Sequence, residues 1–343
     1  MTHLELYHHF IQLPSSNYFF YLATPEMADI VKSSTLEHSV QVPYLMHQLL
    51  AVSARDKSRR ATDDDEKASY LQLSLQLQNH AITMFEASNT RPPSATNPKQ
   101  SIPILSFSAM VGVHALCDTL TALDEPAPQP DMVECQRSSL QNFLARWLDY
   151  IRLHRGINSH VLAAADLIYT TELRPLLLHG RSMSENQPAG HQTDVLLARV
   201  AGLKGLSPQV LAACLTAVDG LQVAIDMGNE TTPPPAEGGA AVAASPEYLA
   251  IWWALSVPEG FVEALSTGVP ELVAVLAYYA VLLHRARASW AVGGAGTKLL
   301  RILTAHLGIK YTEVLAFPRK ELGLGHFDAV YDAVRGWTER SSP

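Results

Sequence analysis

The sequence has few cysteines, and they lie far apart. Among its 343 residues, only Cys117, Cys135 and Cys214 carry a thiol. Because their number is odd and their spacing is wide, they predict neither a disulfide framework nor a clustered zinc site. We therefore expect reduced, mostly buried thiols in an intracellular protein.

Basic residues are in the minority. The 25 Lys and Arg residues face 33 Asp and Glu residues, which gives a formal net charge of -8, and no long basic block occurs. This balance argues against a nucleic-acid-binding surface.

Long apolar runs are also missing. The longest uncharged one, 272–283, is well short of the roughly 20 residues that a membrane-spanning helix needs. Residues 1–13 carry histidines and a glutamate where a signal peptide would have a basic start and an apolar core. We expect a cytoplasmic protein without a membrane span.

Neither sheet patterns nor catalytic signatures occur. Because no stretch shows the β-branched alternation of strands, the predicted fold is all-α, with a single multi-helix domain over 1–343. The segment 228–245, rich in proline, glycine and alanine, is predicted to be a disordered loop within that domain. The zinc-protease, serine-hydrolase and phosphate-loop motifs are absent, and the sequence predicts neither a metal site nor a cofactor.

The helix patterns include several clear starts and stops. Thr62 and the acidic residues after it predict the start of one helix. A second helix is predicted from Met132 to Gly156, with the glycine as its C-terminal cap.

The chain is organised around the stretch 269–296. Pro270 suits a first helical position, and Arg285 and Arg287 suit the negative end of a helix dipole. The uncharged run in between predicts a buried central helix. The glycine-rich turn after it, 293–296, allows positive φ and close approach of another backbone or a ligand. One interpretation is a pocket wall; the other is a core helix that glycines end in the usual way.

Several polar and aromatic residues have two interpretations each. His114 and Asp118 form an i, i+4 pair that indicates either a polar group in a pocket wall or a hydrogen-bonded core histidine. The cations Arg155 and His284 lie at predicted helix ends, where they would complement the dipole. A group of aromatic residues either lines an apolar cavity or forms ordinary core: Trp252, Trp253, Phe261, Tyr278, Tyr279 and Trp290.

Several segments resemble the effector domain that follows the zinc binuclear cluster of fungal transcription factors, including the sterol-responsive group. The matching stretches span most of the chain in the same order: 4–10, 43–54, 70–85, 104–116, 153–157, 269–296 and 317–323. The resemblance implies an all-helical domain with a central hydrophobic pocket for a small molecule. The six closely spaced cysteines of the DNA-binding half have no counterpart, so DNA binding of that kind is not expected.

Either the DNA-binding half has been removed from the sequence, or the chain is a stand-alone relative. In the second case it is similar to the hetero-Diels-Alderases of fungal tropolonic sesquiterpenoid pathways, a branch of meroterpenoid secondary metabolism. The implied reaction joins a tropolone quinone methide, formed by dehydration, to a humulene-type alkene without a cofactor. A histidine or tyrosine would protonate the departing hydroxyl, and a cation or donor would hold the tropolone oxygens. The candidates for catalysis are His114, Tyr279, His284 and Arg155. The candidates for substrate binding are Trp252, Trp253, Phe261, Tyr278, Trp290, Gly293 and Gly294.

Two other functions stay open at this point. A regulatory domain that senses sterols or lipids would bind its ligand without turnover. A scaffold for a protein partner would have no enclosed cavity. The oligomeric state is open as well, with a homodimer as one alternative.

Overall fold

The computed structural model describes residues 2–15, 25–88, 101–124, 132–163, 165–171, 174, 186–229 and 244–325. All regular elements in these ranges are helical, without a strand, so the all-α prediction is confirmed. Of the predicted disordered loop 228–245, residues 230–243 lie outside the described ranges.

Five helices make up the N-terminal half. They are α1 (Thr2–Gln12), α2 (Pro25–Ser39), α3 (Pro43–Arg60), α4 (Asp64–Ser88) and α5 (Ser101–Thr121). Their apolar faces form a first hydrophobic core, in which the rings of Phe85 and Phe107 stack with centroids 4.4 Å apart. The acidic start of α4 is confirmed, but its cap is Asp63 and not Thr62, since the Asp63 carboxylate accepts a hydrogen bond from the Glu66 backbone N–H at 2.8 Å.

The remaining helices, with the exception of α7, contribute side chains to a second core. They are α6 (Met132–Ala163), α7 (Ala165–Ile168), α8 (Asp194–Ala201), α9 (Pro208–Asn229), α10 (Pro246–Ser256), α11 (Glu259–Ser266), α12 (Pro270–Arg285), α13 (Ala295–Leu307) and α14 (Ala316–Glu321). The short 3-10 turn Ile309–Tyr311 precedes α14.

The central helix predicted from the uncharged run is α12. All residues of 272–283 are buried, because helices α8, α9, α10, α11, α13 and α14 all pack around it. The turn after α12 also behaves as predicted: Gly293 has φ +51°, and Gly296 allows the close approach of α13 to α12. A Cβ atom at Gly296 would lie only 2.5 Å from the Ala280 carbonyl oxygen.

Two helices differ from the sequence patterns. Helix α2 was not predicted, because its buried face mixes Ala28 and Val31 with the hydroxyl residues Ser34, Thr35 and Ser39. Helix α6 does not end at Gly156 but continues to Ala163. Its last turns bury Ile157 and Val161 in the first core, and this packing outweighs the local stop signal. Helix α6 therefore contributes side chains to both cores.

Two of the helices, α5 and α9, are long and apolar enough to cross a membrane by length and composition. The bent pair α11 and α12, whose axes differ by 115°, would make a third span if counted as one. Within the protein, 72% of the apolar window of α5 and 44% of that of α9 are buried. The absence of a membrane span and the cytoplasmic location thus stay predictions.

Of the three cysteines, Cys117 and Cys214 are free and buried, as expected for structural thiols. Burial raises the pKa of Cys117 to about 12, so this thiol is not a nucleophile at neutral pH.

Candidate functional site

A cavity of about 340 Å³ opens between the first turn of α10 and the C-terminal end of α12. Leu249 and Leu282 form its buried apolar wall, whereas Arg287 is exposed, so the cavity runs from solvent towards the second core. Its volume lies at the lower end of the range for small-molecule sites. The complete lining is Gly228, Asn229, Pro246, Leu249, Leu282, Arg285 and Arg287.

An aromatic cluster lies one helical turn further along the same two helices. Trp253 follows Leu249 by four residues in α10, and Tyr279 precedes Leu282 by three in α12, so each pair shares a helix face. The ring centroids of Trp253 and Tyr279 are 4.9 Å apart, and Trp147 of α6 lies 6.0 Å from both. The apolar wall of the cavity therefore continues into a cluster of aromatic rings in tilted and edge-to-face contact.

Among the described residues, four buried polar atoms of this region have no hydrogen-bond partner. They are Trp147 Nε1, Tyr150 Oη, His154 Nδ1 and Tyr279 Oη. The first three residues lie on one face of α6, at positions i, i+3 and i+7. Trp147 faces the Tyr279 hydroxyl, but not in hydrogen-bonding geometry. Each unpaired group costs about 1–3 kcal/mol, and native interiors contain few of them.

These side chains are neutral at pH 7. Burial raises the pKa of Tyr150 well above its usual range, and the nearby Tyr279 adds to the effect. Burial also raises the pKa of Tyr279, a shift that Trp147 partly offsets. Burial lowers the pKa of His154 to about 4. The indole and the two phenols can therefore donate hydrogen bonds but not readily give up a proton.

His114 lies in a different environment. Its Nε2 is 2.9 Å from Ser74 Oγ and 3.5 Å from Asp118 Oδ2. Hydroxyl and carboxylate thus approach the same ring nitrogen, and Ser74 donates its proton to the Ala51 carbonyl at 3.1 Å. A hydrolytic triad needs the two partners on opposite nitrogens. Arg55 Nε donates to Asp118 at 2.6 Å, so the group connects α3, α4 and α5.

Arg155 holds the far end of α10. Its Nη1 donates to Glu259 Oε2 at 2.6 Å, and its Nη2 donates to the carbonyls of Leu255 and Val257. It therefore fixes the corner between α10 and α11 and positions the helix that carries Trp253.

His284 and the glycine turn lie beside α13. Thr297 Oγ1 is 3.4 Å from His284 Nδ1, and burial, together with Arg287, lowers the pKa of His284. A Cβ atom at Gly293 would lie 3.3 Å from the guanidinium of Arg59 in α3, whereas one at Gly294 would meet nothing within 4 Å. Trp290 packs against both cores. The turn connects the two cores and does not line the cavity.

The other aromatic candidates have separate environments. Tyr278 donates to the Val314 carbonyl at 2.9 Å and stacks on Phe317 with ring centroids 5.7 Å apart. Trp252 is partly buried at the edge of the second core. Phe261 lies 6.3 Å from Trp253 and extends the aromatic cluster.

The structure thus brings Tyr279, Trp253 and Phe261 together, while the other predicted site residues lie elsewhere. As site residues, the sequence interpretation missed Trp147, Tyr150 and His154 of the polar cluster and all seven residues that line the cavity. The spacing of the first three along α6 is the signal that could have revealed them, because polar-tipped side chains recur there on an apolar face.

Among the described residues, no group of three His, Cys, Asp or Glu side chains could hold a metal ion. No protein-family profile, curated protein or solved structure matches this chain. Evidence for a function therefore has to come from the site itself.

In the part of the chain that the structure describes, two histidines are buried, and they predict that the protein loses stability in acid. Burial lowers the pKa of both His114 and His154 to about 4, from an ordinary value of 6.5. Below pH 6.5 the unfolded chain binds protons that the folded chain does not, so stability is complete above that pH and falls towards pH 4. Each histidine is expected to cost about 3 kcal/mol at pH 4. Urea unfolding at pH 7 and pH 4 measures the loss.

A matched pair of variants assigns this pH dependence. His154→Gln should reduce the pH dependence by about half, because one of the two buried histidines is gone. The exposed His8→Gln should leave it unchanged. Equal stability of the wild-type protein at the two pH values would contradict the neutral, buried state of both rings.

Proposed function

We propose that this chain binds an apolar small molecule between α10 and α12 and promotes its cyclisation without a cofactor. The reaction proposed is the hetero-Diels-Alder coupling of a tropolone quinone methide with a humulene-type sesquiterpene. The observation that supports it is the unpaired hydroxyl of Tyr279, buried one helical turn beyond a cavity walled by Leu249 and Leu282. A guest that reaches this hydroxyl would supply the partner it lacks.

The proposed chemistry suits neutral groups. Loss of water from a hydroxymethyl tropolone breaks one C–O bond, and the hydroxyl leaves with the ring hydroxyl proton to give the quinone methide. The alkene then forms one C–C and one C–O bond with this heterodiene, so no electrons are gained or lost overall. An apolar cavity favours both partners by desolvation, and fixing their orientation can supply up to about 7–11 kcal/mol.

Residue roles in this proposal follow from the electrostatics of the site. Tyr279 retains its proton and would donate a hydrogen bond to the quinone methide oxygen, which gains negative charge as the bonds form. Trp147 Nε1–H would add a second donor. Arg155 would act as a positioning residue through α10, and His114 would stabilise the first core.

The experiment is incubation of the purified chain with a hydroxymethyl tropolone and humulenol, without added metal or nucleotide. We expect faster product formation than in buffer and a single optical isomer. A product ratio and optical rotation equal to those of the buffer control would eliminate the cyclase. Binding of either compound without turnover would instead support a regulatory, ligand-sensing domain.

A further inference from the structure

Two arginines lie at the mouth of the cavity, and they differ in whether a carboxylate compensates their charge. Arg285 is fully engaged: it donates to the Ile225 carbonyl at 3.1 Å, to Asn229 Oδ1 at 2.8 Å and to Glu321 Oε2 at 3.1 Å. Its guanidinium lies against Gly228, where a Cβ atom would be only 2.7 Å from Nη1. Arg285 thus joins the ends of α9, α12 and α14, and Glu321 compensates its charge.

Arg287 has no such compensation. Its Nη1 donates to the His284 carbonyl at 3.0 Å, and within the described ranges no carboxylate pairs with it. The neighbouring His284 does not offset the charge, since burial and Arg287 itself lower the pKa of this ring. Counting only the described residues at the mouth and their ion-pair partners, two guanidinium groups face one carboxylate, which is an excess of one positive charge.

We propose that the cavity selects amphipathic guests with an acidic oxygen group, held by Arg287, and an apolar body against Leu249 and Leu282. Within the described ranges, Arg287 uses one N–H for the His284 carbonyl and has further donors beside the cavity. A guanidinium binds carboxylate-like oxygens through charged hydrogen bonds. Leu249 and Leu282, which lie further inside the cavity than Arg287, would cover the apolar part of the guest. This inference rests on the proposed function, because the acidic hydroxyl of a tropolone is a group of this kind.

The test compares two probes with the same apolar ring, the anionic 1-naphthaleneacetic acid and its neutral methyl ester. Calorimetric titration of the full chain at low salt should show the acid binding at least about tenfold more tightly than the ester. Arg287→Gln should remove this preference and leave the affinity for the ester unchanged, whereas Arg287→Lys should retain part of it. The control Arg152→Gln, at an exposed arginine paired with Asp149, should behave as the wild type.

The possible failures are distinguishable. Equal affinity of the wild-type chain for the acid and the ester would overturn the role of Arg287 and leave the cavity as a site for neutral guests. A preference that persists in Arg287→Gln would also overturn it. If neither probe binds, the proposed function fails together with this inference. Unchanged melting temperatures of the variants exclude misfolding as the cause.

Discussion

Tyr279→Phe is expected to lower the rate of product formation about 10²-fold while the protein remains folded and becomes slightly more stable. The hydroxyl is buried in an aromatic cluster without a hydrogen-bond partner, so its removal relieves a desolvation cost of about 1–3 kcal/mol. The same removal deletes the donor proposed for the reacting oxygen, and loss of one such donor typically costs 10²–10³ in rate, on the order of 3 kcal/mol. Steady-state rates and urea unfolding measure the two effects.

The adjacent Tyr278→Phe is the matched control. Its hydroxyl donates to the Val314 carbonyl at 2.9 Å, so the substitution should cost about 1 kcal/mol of stability and leave the rate unchanged. The change in stability thus has opposite signs in the two variants, and only Tyr279→Phe lowers the rate, which separates a functional hydroxyl from a structural one. Loss of stability in Tyr279→Phe with an unaltered rate would show that its hydroxyl has only a structural role.

Gly296→Ala is expected to destabilise the protein by about 3 kcal/mol. A Cβ atom at this position would lie 2.5 Å from the Ala280 carbonyl oxygen and 2.6 Å from the His284 backbone nitrogen. These are backbone atoms in the last turns of α12, which cannot move aside as a flexible side chain can, so α13 would have to shift away from α12. The free energy of unfolding from urea titration measures the loss.

Gly294→Ala supplies the comparison two residues away. No atom lies within 4 Å of the added Cβ, and the residue precedes the first turn of α13. The change should stay within about 1 kcal/mol, the effect of replacing a glycine at a helix N-cap. If both alanines were tolerated equally, close helix packing would not be the reason for this glycine turn.

Helix α12 could be predicted from the sequence because several signals agree there. A proline, an acidic first turn, an uncharged apolar run and basic residues in the last turn all indicate the same element. Such agreement also gave the correct fold class. It failed for α6, where Gly156 suggested a stop that the burial of Ile157 and Val161 overrides. Local propensity is a weak signal wherever two cores share a helix.

The site was less predictable than the fold, because it depends on which helices meet. The sequence groups six aromatic residues in one region, and of these the structure brings Trp253, Phe261 and Tyr279 together. Trp147 could join them only once α6 was placed beside α10 and α12. His114 and Arg155 looked similar to Tyr279 as polar groups in apolar helices. Their hydrogen-bond partners, which the sequence does not reveal, give them structural roles instead.

A crystal structure of the chain soaked with the hydroxymethyl tropolone tests most directly where the guest is held. We expect ligand density between Leu249 and Leu282, with an oxygen atom within hydrogen-bonding distance of a donor in the Tyr279 cluster or of Arg287. Density beside Trp290 and the glycine turn, or no ordered guest at saturating concentration, would contradict a binding site between α10 and α12.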